Sequence, residues 1–239
     1  MSSDAIEVKD LVVHRAGKKV LHGISFSLTR GVISALLGAN GAGKSSTVMA
    51  LAGALPATSG SVRLGSFDLL GRKPDDIRRR GIALVPEGHR VLGQLSVLDN
   101  LLVAIPGSVP KGQMQGEVER VLEIFPELKT RLNQRASDLS GGQKQMVAMG
   151  QAFIAKPDYM IVDELSLGLA PTVVRRLAEA LRHAVDAGIG VLLIEQFAHL
   201  ALELASEAMV LERGRMVFTG TSETLKADSS ILHSAYLAT

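Results

Sequence analysis

The sequence is 239 residues long (25.3 kDa), enough for one large α/β domain with a sizeable core, and it contains no cysteine. That excludes a disulfide framework, a thiolate metal site and a cysteine nucleophile. The 26 Lys+Arg against 24 Asp+Glu leave only +2, too small a surplus for a nucleic-acid footprint despite a pI of about 9.0. Apolar residues reach 46% with a mean hydropathy of +0.24, yet aromatics are 3%, so the excess is aliphatic and alanine, as in parallel strands buried on both faces.

Near the N-terminus, residues 6–13 and 23–28 alternate apolar with polar or small side chains. They predict antiparallel strands across the turn Arg15-Ala16-Gly17-Lys18, a small β-layer. The opening MSSDAIEVKD has no basic stretch leading into an apolar one, so a cytoplasmic chain is expected. Residues 32–37 then give a short buried strand, followed by a glycine-rich turn and a helical stretch over 43–52. Further strand-length apolar runs lie at 81–85, 159–162 and 190–194, each followed by polar residues where its carboxyl end should stand, the place where ligands sit in open α/β sheets. The 88–157 region between the first and second of these reads as helical, with 3.6-residue spacing over 97–104, 117–124 and 144–155. It predicts a helical insertion in an α/β core formed by 1–87 and 158–239, the whole chain being one domain. The most linker-like segment is 106–112, and no run of about 18 apolar residues exists to span a membrane.

Three segments carry chemistry. Gly38-Ala39-Asn40-Gly41-Ala42-Gly43-Lys44-Ser45 has the phosphate-loop pattern. Its glycines let backbone N–H groups turn inward on phosphate oxygens, Lys44 neutralises β/γ charge, and Ser45 ligates Mg²⁺. Its position after a strand and before a helix is the context that chemistry needs. The apolar run Tyr159-Met160-Ile161-Val162 ends in Asp163-Glu164, and a carboxylate at a buried strand tip is costly unless it meets a cation. Asp163 is placed to hold Mg²⁺ and Glu164 to polarise an attacking water. Finally, Ser140-Gly141-Gly142-Gln143 after Leu139 sits at the start of a helical run, where a hydroxyl, free N–H groups and the positive end of the dipole make an anion site without a lysine.

Together these motifs resemble the ATP-binding cassette family, the ATPase subunits of ABC transporters, over nearly the whole chain, residues 6–225. The resemblance implies a P-loop nucleotide-binding core with an N-terminal antiparallel β-layer and a helical subdomain insertion at 88–157. It implies ATP and Mg²⁺ as cofactors, with Ser46 beside the loop as a further nucleotide contact. Leu139 to Gln143 would be the signature that closes on ATP held by a second subunit in a head-to-tail dimer. An adenine-stacking residue would fall near His14 or Arg15.

Several positions depart from the common family pattern. Glu87, in Val85-Pro86-Glu87-Gly88, stands where a Mg²⁺-touching glutamine is usual and still offers Mg²⁺ a carboxylate. Gln196 stands where a histidine usually meets the γ-phosphate, keeping a donor but no charge. Leu165 replaces a proline and Ala170 an aspartate that makes a cross-dimer contact; His199 reads as a surface residue. Glu87, Gln196 and the Ser166-Leu167-Gly168-Leu169-Ala170-Pro171 run look like one branch, the second ATPase subunit of high-affinity branched-chain amino acid importers.

That branch implies a second ABC ATPase, two integral membrane permeases and an extracytoplasmic solute-binding protein as partners. It also implies a peripheral location on the cytoplasmic face of the membrane and no nucleic acid. Importers of urea or other amides look similar, and a regulatory subunit with little hydrolysis is a further alternative. A DNA-repair ATPase would carry a long coiled coil between phosphate loop and signature, where this chain has no sustained heptads. A translation-factor relative would have two cassettes, and this chain has one phosphate loop.

Overall fold

A computed structural model describes residues 5–228 and 230–237. Strands β1 (Ile6–Arg15) and β2 (Lys18–Leu28) form a hairpin whose register pairs Arg15 with Lys18. Both turn residues take positive φ, Ala16 at 49° and Gly17 at 75°, the type I′ geometry that matches strand twist. The hairpin is longer than the alternation predicts, because β2 starts at Lys18 rather than at Gly23. Within β1 the inward set Ile6, Val8 shifts to Leu11, Val13 across a bulge at Asp10 (φ 47°), whose N–H donates to Ser25 Oγ at 2.9 Å. With β4 (Ser59–Leu64) and β5 (Phe67–Asp68) these strands complete a four-stranded antiparallel sheet in the order β2-β1-β4-β5.

The second sheet runs β10-β9-β3-β8-β7-β6, built from β3 (Ile33–Leu37), β6 (Ile82–Val85), β7 (Tyr159–Asp163), β8 (Gly190–Glu195), β9 (Glu207–Glu212) and β10 (Arg215–Thr221). All its pairings are parallel except the β9–β10 hairpin. Side chains alternate between two cores, as the period of two requires. Ile33, Ala35 and Leu37 of β3 and Met160 and Val162 of β7 face a core shared with the helices, whereas Leu36, Tyr159 and Ile161 face the antiparallel sheet. Burial on both faces explains why these strands read as unbroken apolar runs.

Helix α1 (Lys44–Leu51) follows β3 and α2 (Pro74–Arg79) precedes β6. Between β6 and β7 the regular structure is helical: α3 (Val97–Leu102), α4 (Met114–Ile124), α5 (Gly141–Ile154) and short 3₁₀ turns, one of them at Lys111–Gln113 after the expected linker. Buried Asn100 organises this region: its amide accepts from Leu92 N–H at 2.8 Å and donates to the Ser96 carbonyl at 2.9 Å, and Gln151 of α5 donates to the Asn100 carbonyl at 2.9 Å. After β7 come α6 (Pro171–Asp186), α7 (Ala198–Leu204), α8 (Ser222–Ala227) and α9 (Ser230–Leu237). Among the described residues no helix is long and apolar enough to cross a membrane.

Candidate active site

Strand register places the chemistry. Leu37 pairs with Glu195, Ile194 with Asp163, and Val162 with Val85. The carboxyl ends of β3, β8, β7 and β6 therefore come level, with neighbouring strands about 4.8 Å apart, and the residues beyond them share one edge. Gly38 to Ser45 leave β3, Gln196 follows β8, Glu164 follows β7 and Glu87 follows β6. Sequence positions as far apart as 38 and 196 meet because the sheet is parallel.

The phosphate loop bends tightly at its glycines. A Cβ on Gly38 would stand 2.3 Å from the Leu211 carbonyl oxygen, and Gly43, at φ 112°, caps α1 without any side-chain hydrogen bond. The first-turn N–H groups of α1 have no intrahelical acceptors and no acidic side chain beside them, which leaves the positive end of the helix to an anion. Lys44 is 6% exposed, and its ammonium donates to the Gly38 carbonyl at 2.6 Å and the Ala39 carbonyl at 3.2 Å, so it is held in the loop before any phosphate arrives. Burial draws its pKa below the usual lysine range, opposed by the negative charges of Glu164, Asp163 and Glu195. Ser45 is half-buried and Ser46 buried.

Asp163 ends β7 at 6% exposure, and its carboxyl is pushed up from 3.8 to about 6. Burial is the first cause, the Glu87 and Glu164 carboxylates add to it, and Lys44 opposes it. Carboxylates here outnumber the one nearby ammonium, Lys44. Among the described residues no three His, Asp or Glu side chains converge as a ready-made metal cage. A hydroxyl and one or two carboxylates are instead the donor set of Mg²⁺, which keeps several waters and shares phosphate oxygens, so the residues present fit that ion. Glu164 takes φ 54°, and its N–H donates to the Ile194 carbonyl at 3.0 Å, turning the chain out of the sheet directly after Asp163.

Asp163 also sets a pH dependence. Its folded pKa lies above its unfolded one, so its contribution favours folding below about pH 4 and is lost as pH rises through about 6. Asp163→Asn is expected to stabilise the nucleotide-free chain at pH 7 by about 1–2 kcal/mol, allowing for solvent screening, while weakening MgATP binding. Thermal melts should show a gain of roughly 2–6 °C at pH 7 that shrinks toward pH 4. An equal or lower melting temperature for the variant at pH 7 would contradict this strain.

The signature segment is a helix cap. Ser140 Oγ accepts from Gln143 N–H at 3.3 Å and Gln143 Oε1 accepts from Ser140 N–H at 3.0 Å, a reciprocal capping box at the start of α5. Ser140 is exposed, so its hydroxyl is open to solvent, and Gly142 is closed in by Val173, which would lie 2.6 Å from an added Cβ. Gly141 lies against His89 and Leu169. His89 Nδ1 is 2.9 Å from Oε1 of Gln145, linking the segment after Glu87 to the signature helix.

Arg15 lies exposed at the end of β1, and His14 Nδ1 is 2.8 Å from Thr58 Oγ1. Ala170 caps α6 without a side-chain bond, and buried Leu165 fills the core where the family pattern has proline. His199 is on the surface, 3.9 Å from Glu203. Sequence reasoning gave no role to Glu195. It is 1% exposed and fixes the loop after Glu164 by accepting from Ser166 N–H and Oγ, each at 3.0 Å. Burial raises its pKa and the Ser166 bonds lower it. It carries the same signal as Asp163, an acid closing a buried strand. Tyr236 of α9, whose hydroxyl reaches both Gly38 and Gln196, also went unread.

A phosphate loop on a central parallel strand, acidic strand ends beside it and a glycine-rich helix cap on an inserted helical region define an ATP-binding cassette. The ABC transporter family pattern matches residues 21–166, from β2 through Ser166. The chain belongs to this family, whose cassettes hydrolyse ATP. It is 43% identical over 220 residues to the high-affinity branched-chain amino acid transport ATP-binding protein BraG of Pseudomonas aeruginosa, covering 92% of this chain and 93% of that one. It is 32% identical to the probable branched-chain amino acid transport ATP-binding protein LivF of Archaeoglobus fulgidus, over 88% of this chain and 90% of the relative. A solved ATP-binding subunit of an ABC transporter superposes with a TM-score of 0.85 at 28% identity, covering 98% of both chains.

Proposed function

We propose that the chain is the second of two ATPase subunits in an importer of branched-chain amino acids. The observation that carries this reading is the 43% identity to the Pseudomonas aeruginosa protein along nearly the full length of both. The segment set Glu87, Gln196 and Ser166 to Pro171 agrees with it. Residues 88–157 act as the signature subdomain on the core of 1–87 and 158–239.

In this reading Lys44 and the amides of Gly38 to Ser46 hold the ATP phosphates. Ser45, Asp163 and Glu87 hold Mg²⁺, which when bound neutralises phosphate charge. Glu164 polarises water, Gln196 donates to the γ-phosphate, and Arg15 stacks on adenine. Ser140, Gly141, Gly142 and Gln143 serve the nucleotide of a second ABC ATPase in a head-to-tail dimer. The full system adds two integral membrane permeases and an extracytoplasmic solute-binding protein. The chain sits peripherally on the cytoplasmic face and binds no nucleic acid.

A groove of ≈ 350 Å³ supports the permease partnership. It opens between α2, β6 and the inserted helices, bordered by Leu84, Pro86, Val103 and Ala148, and leads to the segment bearing Glu87. Leu84 and Val103 are 37% and 54% exposed, an apolar rim suited to an amphipathic segment of a membrane subunit.

Two measurements test the reading. Sedimentation of the isolated chain should show a monomer with slow turnover, because Gln196 lacks the charge of a histidine and Ala170 lacks a cross-interface carboxylate. Adding the second ATPase with MgATP should produce a dimer. In vesicles holding the two ATPases, the permeases and the binding protein, labelled leucine should enter with ATP. Entry of urea instead would reassign the solute, and a tight, fully active homodimer would exclude the paired arrangement.

A further inference from the structure

The loops that leave β3 and β8 start side by side, since Leu37 and Glu195 are the last registered pair of those strands. One residue further on, Gly38 and Gln196 have left the ladder, and a side chain from the far end of the sequence closes the gap. The Tyr236 hydroxyl donates to the Gln196 carbonyl at 2.9 Å and accepts from the Gly38 N–H at 3.3 Å. A phenol hydroxyl has one proton to give and lone pairs to receive, and both functions are in use here.

The tyrosine is seated for this. Its neighbour Ala235 is 2% exposed and belongs to the core that includes Val210 and Leu225, and the Tyr236 ring packs against the same core. Burial raises the pKa of the phenol, which keeps it a donor across the working pH range. Beyond Gln196 the Phe197 side chain is 58% exposed, and packing resumes in α7, where Ala201 and Leu202 are buried. The backbone of Gln196 is held between Glu195, which also bonds the Phe197 backbone, and α7, with Tyr236 bonding the Gln196 carbonyl itself.

We infer that Tyr236 is a positioning residue for ATP hydrolysis: it ties the first amide of the phosphate loop to the Gln196 carbonyl and so fixes the distance from the Gln196 side chain to the terminal phosphate. The inference rests on the reading of Gln196 as the γ-phosphate donor. The phenol hydroxyl bonds the Gln196 carbonyl and the Gly38 N–H, so it acts through Gln196. It sets where Gln196 stands, and a 1 Å drift there matters more to the transition state than to ground-state binding.

The test compares Tyr236→Phe, Gln196→Ala and the double variant in the assembled transporter, with MgATP turnover, ATP affinity and a thermal melt measured for each. Tyr236→Phe should lower kcat by about fivefold, the worth of one or two neutral hydrogen bonds, with KM for ATP within about twofold of the parent. The double variant should be no slower than Gln196→Ala alone. A Tyr236→Phe kcat equal to the parent's overturns the inference while Gln196→Ala remains slow. If Gln196→Ala runs at the parental rate, the role of Gln196 itself fails. A loss of kcat that follows a fall in folded protein, with ATP affinity declining in step, assigns Tyr236 to stability alone and overturns the positioning role.

Discussion

Replacing Lys44 with alanine is expected to weaken ATP binding by about two orders of magnitude or more and to bring turnover to background, the scale on which loss of one charged stabiliser of a transferring phosphoryl group is measured. The expectation follows from where the ammonium already is. It is almost wholly buried and bonded to the Gly38 and Ala39 carbonyls, so its desolvation is met in the folded chain before nucleotide arrives. It also faces a set of carboxylates, Asp163, Glu164 and Glu195, that would repel a triphosphate. Removing it leaves those charges uncompensated where the β- and γ-phosphates must lie. Lys44→Arg should fail for a separate reason, because a planar guanidinium does not fill the pocket that a compact ammonium fills between two carbonyls. Calorimetric titration with ATP and a phosphate-release assay measure both effects. Unchanged affinity and turnover in Lys44→Ala would remove the phosphate loop from the site.

The core of this site was legible in the sequence because its chemistry is local. The glycines, Lys44 and Ser45 lie in one octapeptide, and Asp163-Glu164 sit at the end of an apolar run, so each motif carries its own context. The parallel strands were legible for a related reason: burial on both faces leaves no polar alternation to confuse them. What escaped is non-local. The bulge at Asp10 follows from pairing with β2 and β4, and the β9–β10 hairpin, absent from the strands read in the sequence, is placed by the pairing of β9 with β3. Glu195 has no role in the sequence reading. Its task is bonding Ser166, 29 residues earlier, which only the β7–β8 pairing reveals. Tyr236 reaches Gly38 across 198 residues, and nothing in the octapeptide calls for a phenol. Local signals thus supplied the residues proposed to touch nucleotide, and the fold alone supplied the groups bonded to their loops.

The environments of the acids at this edge carry the proposal that Glu164 is the carboxylate acting on water. Three acids, Glu87, Glu164 and Glu195, act on the fourth, Asp163, at this sheet edge, and the four separate by environment. Glu195 is committed, with both oxygens bonded to Ser166. Asp163 is buried and held up at about 6, and in the proposed reading it shares a divalent cation with Ser45. Glu87 belongs to the segment that His89 joins to the signature helix. Glu164 remains, lifted out of the sheet at φ 54° with its backbone N–H donating to the Ile194 carbonyl. Glu164→Gln keeps shape and hydrogen bonding while deleting the proton acceptor, so hydrolysis should fall by about two orders of magnitude or more. The same change removes one negative charge beside Asp163 and the phosphates, so ATP affinity should hold or rise. Binding without turnover at this site then prolongs the nucleotide-bound pair, and gel filtration with the second ATPase and MgATP should show a dimer that lasts longer with the variant than with the parent. Hydrolysis at the parental rate in Glu164→Gln would move the water-activating role to another group.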